Sequence, residues 1–279
     1  MALYTMKELL REAKREGYGI GYFNAVNLEM VRAYISAAEE CNSPIIIGTA
    51  EALLPVSSFS WIVPLMLDQA KRARVPVAVH LDHTYSFDIL MQALRIGFGS
   101  VMYDGSREKS HEENVRKSAE IARIAHGMGV GVECELGSVG GLADGSGQED
   151  AMIYTEPEDA RDFVEQTGAD FLAVSIGTVH GVYKAEPRLD IPRLEKIHGL
   201  VDVPLVLHGG SGLSDEDFRN TIAGGICKVN VYTDIILAGK KAMEDHPELG
   251  YTDTILKAEN AMKEATALKL RLFGSENRG

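Results

Sequence analysis

Pro76-Val77-Ala78-Val79-His80-Leu81-Asp82-His83 begins as an apolar, β-branched run and ends with an acid and two histidines within four residues. An apolar run opened by proline reads as a buried strand. A strand interior has no need of Asp or His, because an unpaired charge there is expensive. Polar residues crowded at the carboxyl end of a buried strand are where α/β proteins put their chemistry. Strand alternation sends Asp82 and His83 to opposite faces. Both reach one site only if the strand has already turned at Asp82, with His83 in the loop.

Outward from this stretch, short apolar runs alternate with amphipathic stretches along the whole chain. Strands are expected at residues 19–25, 45–48, 76–83, 100–104, 130–136, 171–177, 204–208 and 227–232. Helices are expected at 28–40, 60–72, 86–95, 108–127, 191–200 and 234–244, with one opened by Thr155-Glu156-Pro157-Glu158 and running to about Thr167, another opened by Ser214-Asp215-Glu216-Asp217 and a last one at 253–273. Strand–helix repetition implies a parallel sheet, and eight units in about 250 residues is the measure of a (β/α)8 TIM barrel. The expected architecture is a single α/β domain over 1–279, with an extra C-terminal helix. A doubly wound sheet would carry Gly-x-Gly-x-x-Gly after its first strand, and that turn is absent.

Composition narrows the partners. Of the 279 residues, 45% are hydrophobic and 25% charged, the balance of a globular protein with a large core. A net charge of −13 argues against nucleic acid and anionic membrane. No apolar run approaches membrane-spanning length, and a cytoplasmic protein is expected. Met6, Leu9, Leu10 and Ala13 recur at helical spacing among charges, which is a surface helix and not a signal peptide. Cys41, Cys134 and Cys227 are widely spaced, so neither a disulfide framework nor a cysteine zinc site is indicated.

The strand ends carry the chemistry. The third ends in Asp82 and His83, the fourth in Asp104, the fifth in Glu135, and the sixth leads to His180. The seventh ends in His208 followed by Gly209-Gly210-Ser211-Gly212, the eighth in Asn230 and Thr233. In a barrel all converge on one mouth. A lone histidine at a strand end is usually a hydrogen-bonded structural residue, but three at corresponding ends suit a divalent metal. Catalytic zinc takes three protein ligands and keeps one position open, and His83, His180 and His208 are the candidates. His80 points into the barrel or supports a ligand from behind. The glycine turn at 209–212 lies where such barrels hold phosphate, and oriented N–H groups bind phosphate without net positive charge.

A metal beside a phosphate-binding mouth can polarise the carbonyl of a phosphorylated ketone and hold the enediolate that follows. A nearby carboxyl group can move a hydroxyl proton as a C–C bond breaks or forms. No lysine suits a Schiff base, since Lys184 lies beyond one strand and Lys228 near the start of another. The chain resembles the class II, zinc-dependent ketose-bisphosphate aldolases, in the tagatose- and fructose-bisphosphate branch. The resemblance is carried by residues 79–83, 133–137, 176–181, 207–212 and 228–233, in family order. It implies zinc on His83, His180 and His208, with Asp82 as the proton donor and acceptor at the C4 hydroxyl. It implies Asp104 and Glu135 at an alternative metal position. Gly181, Gly209, Gly210, Ser211, Asn230, Val231, Tyr232 and Thr233 would form the dihydroxyacetone phosphate site, with Na+ or K+ beside the phosphate. The products would be dihydroxyacetone phosphate and an aldehyde, either glyceraldehyde 3-phosphate or another sugar aldehyde. The partners it implies are a phosphorylated sugar and further copies of the chain, in a homodimer or homotetramer.

Two departures from the family pattern stand out. Many relatives place Glu two residues after Gly140-Gly141, to handle the ketone-side proton; here Leu142 and Ala143 follow, with Asp144, Glu149 and Asp150 as possible substitutes. Ala50 stands where many relatives have a small hydroxyl residue. Two other readings stay open at this point. One is a metal-dependent hydrolase on the same barrel, disfavoured because residues 19–25 contain neither His nor Lys. The other is a sugar-phosphate-binding protein without catalysis.

Overall fold

The computed structural model describes residues 3–140, 152–181, 183 and 187–279. Each apolar run becomes a strand and each amphipathic stretch a helix. In chain order these are α1 (Met6–Glu16), β1 (Ile20–Asn24), α2 (Leu28–Glu40), β2 (Ile45–Ala50), α3 (Phe59–Arg72), β3 (Val77–Thr84), α4 (Phe87–Ile96), β4 (Ser100–Tyr103) and α5 (His111–His126). There follow β5 (Gly131–Leu136), α6 (Pro157–Thr167), β6 (Phe171–Val174), α7 (Ile191–Leu200), β7 (Leu205–Leu207), α8 (Asp215–Ala223), β8 (Ile226–Asn230), α9 (Thr233–Glu244) and α10 (Tyr251–Leu272). The strands pair in parallel and in sequence, and β8 closes on β1, making a (β/α)8 barrel.

Alternation along the strands divides the interior. On β3, Val77, Val79 and Leu81 face outward into the apolar layer beneath the helices, while Ala78 faces the barrel lumen. The lower lumen is apolar, filled by Ile20, Ile46, Ala78, Met102, Phe171, Val206 and Cys227. Helix α1 plugs this end. Thr5 and Glu8 form a capping box that starts it, and its apolar face of Met6, Leu9, Leu10 and Ala13 completes the same cluster. The helix expected on the surface is therefore amphipathic, with half of it serving as the floor of the barrel. Above the plug the lumen turns polar, with His80, Asp82, Glu133, Lys228 and His208 all buried. Gly48 belongs to this level because a Cβ there would lie 1.9 Å from the His80 carbonyl oxygen and 2.8 Å from the Tyr22 ring.

Several sequence-based boundaries shift. The sixth strand stops at Val174 and not at 177, and the eighth at Asn230 and not at 232, so His180, Gly181, Val231 and Tyr232 lie on loops and Thr233 begins α9. The third strand runs further than expected. Leu81 pairs with Val101 and Thr84 with Tyr103, so Asp82 and His83 together face Met102 alone. That is a β-bulge, one extra residue in one strand. His83 is thus inside a bulged strand and not in the loop, with φ at 21°, an uncommon value outside glycine. Helix α10 packs along the barrel wall against α2 and α9, and not under the barrel.

Candidate active site and metal centre

The bulge in β3 turns both Asp82 and His83 toward the mouth. His83 Nε2 lies 3.1 Å from His180 Nε2 and 2.6 Å from His208 Nδ1. The outer nitrogens of two of these rings are held by carboxylates. His83 Nδ1 is 2.9 Å from Asp104 Oδ2, and His208 Nε2 is 2.8 Å from Glu133 Oε1. Carboxylates accept only, so each outer nitrogen carries the proton and each inner one a lone pair. Two lone pairs facing across 2.6 Å need a cation between them, which fits a metal held by histidines oriented from behind. The donor set of three imidazoles is that of a catalytic zinc site.

Burial opposes protonation of His83, but Asp82 and the hydrogen-bonded Asp104 outweigh it and lift the imidazole to about 9. Burial and the neighbouring His83 hold His180 and His208 well below the usual histidine range. The histidine cluster thus favours one positive charge at its centre. Asp104 stays below the ordinary carboxylate range despite its burial, because His83 and Ser106 donate to it. Glu135 is pushed up to about 8 by burial and by Asp104. One of its oxygens accepts from Val139 N at 3.1 Å, and the other has no partner among the described residues. His83, Asp104 and Glu135 bring a second set of ligand atoms within 4.8 Å of one another.

Asp82 is 2% exposed, and Asn230 Nδ2 donates to its two oxygens at 3.1 and 3.2 Å. Beside it opens a small cavity. All eight residues expected at the phosphate end (Gly181, Gly209, Gly210, Ser211, Asn230, Val231, Tyr232 and Thr233) line it, together with Asn24, Asp82 and His180. Gly209 has φ at 67°, and a Cβ there would stand 2.4 Å from the Val179 carbonyl, so the turn requires glycine. Gly210 N–H already donates to the Asn230 carbonyl, and Tyr232 N–H to Ser211 Oγ. The turn therefore offers fewer amide donors than its glycines suggest. Ser211 Oγ accepts from both Tyr232 N and Asp234 N at 3.2 Å, which leaves its own hydrogen to turn toward the cavity.

A family model described as fructose-bisphosphate aldolase class-II matches residues 4–278. The chain belongs to the class II fructose-bisphosphate aldolase family. It is 41% identical over 312 aligned residues to the fructose-bisphosphate aldolase of Thermus caldophilus, covering 99% of each chain. Among solved structures it is similar to the YdjI aldolase from Escherichia coli K12, with a TM-score of 0.89, 35% identity and 99% of each chain covered. The fructose-bisphosphate aldolase of Campylobacter jejuni superposes with a TM-score of 0.81 at 25% identity, covering 100% of this chain and 97% of that one. As a class II aldolase the chain is a carbon–carbon lyase, and the class implies a divalent metal and a phosphorylated sugar. The hydrolase and non-catalytic readings are thereby displaced. None of the described helices is long and apolar enough to cross a membrane.

Several residues of this aldolase site escape the sequence reading. Asn24 lines the cavity from the end of β1. Glu133 and Lys228, given no site role from the sequence, form a buried pair at 2.8 Å under the histidines. Lys228 is mid-strand, with Nζ 3.9 Å from Asp82 Oδ1, which corrects its placement away from the chemistry. Burial and, after it, the Asp104 charge push the Tyr85 phenol well above its usual range. His80 does point into the barrel, with Nδ1 2.9 Å from Ser100 Oγ. Ala50 ends β2 and is fully buried. Leu142, Ala143, Asp144, Glu149, Asp150 and Lys184 lie outside the described residues.

Proposed function

We propose that the enzyme reversibly cleaves a ketose phosphate or bisphosphate into dihydroxyacetone phosphate and an aldehyde, glyceraldehyde 3-phosphate or another sugar aldehyde. The whole of 1–279 acts as one catalytic domain in this reading. Its main support is the convergence of His83, His180 and His208 beside Asp82, at the edge of a cavity lined by the glycine turn. The three histidines would hold zinc, and when bound the metal would supply Lewis acidity at the ketone carbonyl. Asp104 and Glu135, with His83, would make the alternative metal position. The cavity would take the phosphate, through Ser211 and backbone amides, with Na+ or K+ beside it.

Asp82 takes the proton of the C4 hydroxyl. The O–H electrons then form the aldehyde C=O, and the C3–C4 pair passes to C3 and on toward the ketone oxygen. In the synthetic direction Asp82 returns the proton. Asn230, donating to both carboxylate oxygens, keeps Asp82 turned to that hydroxyl. Burial of Asp82, His83 and His208 keeps water from the reacting carbon. The acid serving C3 is sought among Asp144, Glu149 and Asp150.

A homodimer or homotetramer is part of the same proposal, supported by Tyr251, Leu256 and Leu268 exposed on α10. A cytoplasmic setting is supported by three free, buried cysteines. The deciding experiment is a retro-aldol screen of ketose mono- and bisphosphates with zinc present, following triose phosphate release. No release from any of them, with the metal fully loaded, would refute the reading.

A further inference from the structure

Lys228 is completely buried in the barrel lumen, under the histidines. Lysine is almost never fully buried unless paired, and here the pairing is one-sided in its reach. Nζ lies 2.8 Å from Glu133 Oε2, 3.9 Å from Asp82 Oδ1 and 4.6 Å from the centre of the Tyr22 ring. The other oxygen of Glu133 meets His208 Nε2 at 2.8 Å. We propose that Lys228 is a positioning residue that joins the metal ligand to the proton carrier: through Glu133 it sets the His208 ring, and directly it faces Asp82.

The argument is geometric. A carboxylate held at one oxygen is restricted in rotation, so its second oxygen has a narrower aim. Lys228 holds Oε2, and Oε1 is thereby aimed at His208 Nε2. That bond puts the His208 proton on Nε2 and leaves Nδ1 bare, turned to His83 Nε2. His80 Nε2, 3.6 Å from Glu133 Oε2 and 3.9 Å from Asp82 Oδ1, makes no hydrogen bond to either among the described residues. The same ammonium lies 3.9 Å from Asp82 Oδ1. Lys228 and Asn230, two residues apart on β8, thus grip the Glu133–His208 arm and the Asp82 carboxylate from one strand face.

This inference rests on the assignment of His208 to the metal and Asp82 to the proton. Its test uses the full-length, zinc-loaded enzyme and the variants Lys228→Met, Glu133→Gln and their double, with zinc affinity read by chelator competition. Outer partners of metal-bound histidines typically contribute 10–100-fold in affinity. K228M is expected to weaken zinc by about that factor and to lower kcat more than it raises KM. E133Q is expected to weaken zinc as well. The double variant is expected to be no weaker than K228M alone, because both substitutions break one chain of bonds. Wild-type zinc affinity in K228M, or losses that simply add, would overturn the proposal. Should K228M not fold, nitrogen NMR of the wild-type zinc enzyme decides instead. An Nε2–H tautomer at His208 supports the proposal, and an Nδ1–H tautomer refutes it. A wild-type enzyme that binds zinc but cleaves no ketose phosphate would defeat the aldol reading and leave the zinc comparison standing.

Discussion

His83 Nε2 and His208 Nδ1 face each other across 2.6 Å, and each ring gives its other nitrogen to a carboxylate, Asp104 and Glu133 respectively. The contact needs a positive charge at its centre. A proton on His83 or a divalent metal can supply it, and the two compete for one place.

Metal affinity should therefore depend steeply on pH. In protein stripped of metal, His83 keeps its proton up to about 9, and binding must displace it. Apparent zinc affinity is expected to rise roughly tenfold per pH unit from pH 7 to 9 and then level off. Calorimetric titration in two buffers of different ionisation heat should show about one proton released per zinc at pH 7. Release of none would contradict the competition.

Replacement of Asp82 by Asn should separate chemistry from metal binding. Asp82 makes no hydrogen bond to the histidines, so zinc affinity should stay within a few-fold of wild type. The kcat for retro-aldol cleavage should fall by about 10²–10⁴, the range for loss of a general acid–base. A variant retaining most of its kcat would remove Asp82 from the mechanism.

Ser211→Ala should act on both stability and binding. It leaves the N–H groups of Tyr232 and Asp234 at the start of α9 without their acceptor. A loss of about 1 kcal/mol is expected from urea unfolding, as for other helix N-cap removals. Steady-state kinetics should show KM for the phosphorylated ketose rising about tenfold with kcat little changed, since a contact equal in ground and transition states affects KM alone. Unchanged KM would take Ser211 out of the phosphate site.

At the opposite end, Leu10→Ala should cost stability without touching catalysis. Leu10 is fully buried in the α1 plug, at the far end of the barrel from the histidines. A deletion of this kind costs about 2–5 kcal/mol. The urea midpoint should fall while kcat and KM hold. A comparable loss of kcat would show that the plug and the mouth are coupled.

The barrel was legible because its period is local. Val77, Val79 and Leu81 alternate with Ala78 and His80, and that alternation needs nothing from elsewhere in the chain. The convergence of His83, His180 and His208 was legible because each belongs to or follows a strand end, and a closed barrel brings all such ends together. Glu133 and Lys228 were overlooked although a signal was present. Glu133 and Glu135 share one strand face, as do Lys228 and Asn230, and a polar residue repeated every second position on a buried strand demands a partner inside. What the spacing does not contain is which partner.

By itself the sequence determined the eight-fold repetition, the polar strand ends and the glycine turn, since each follows from the preferences of neighbouring residues. Only the tertiary structure decided how Asp82 and His83 share one mouth. It does so through an extra residue in β3 opposite Met102, a feature defined by pairing with β4 and invisible in β3 alone. The structure alone also joined Lys228 to Glu133 and Glu133 to His208, across 95 and 75 residues of chain. Hydrogen bonds of that span depend on barrel closure, because closure sets which lumen-facing side chains meet.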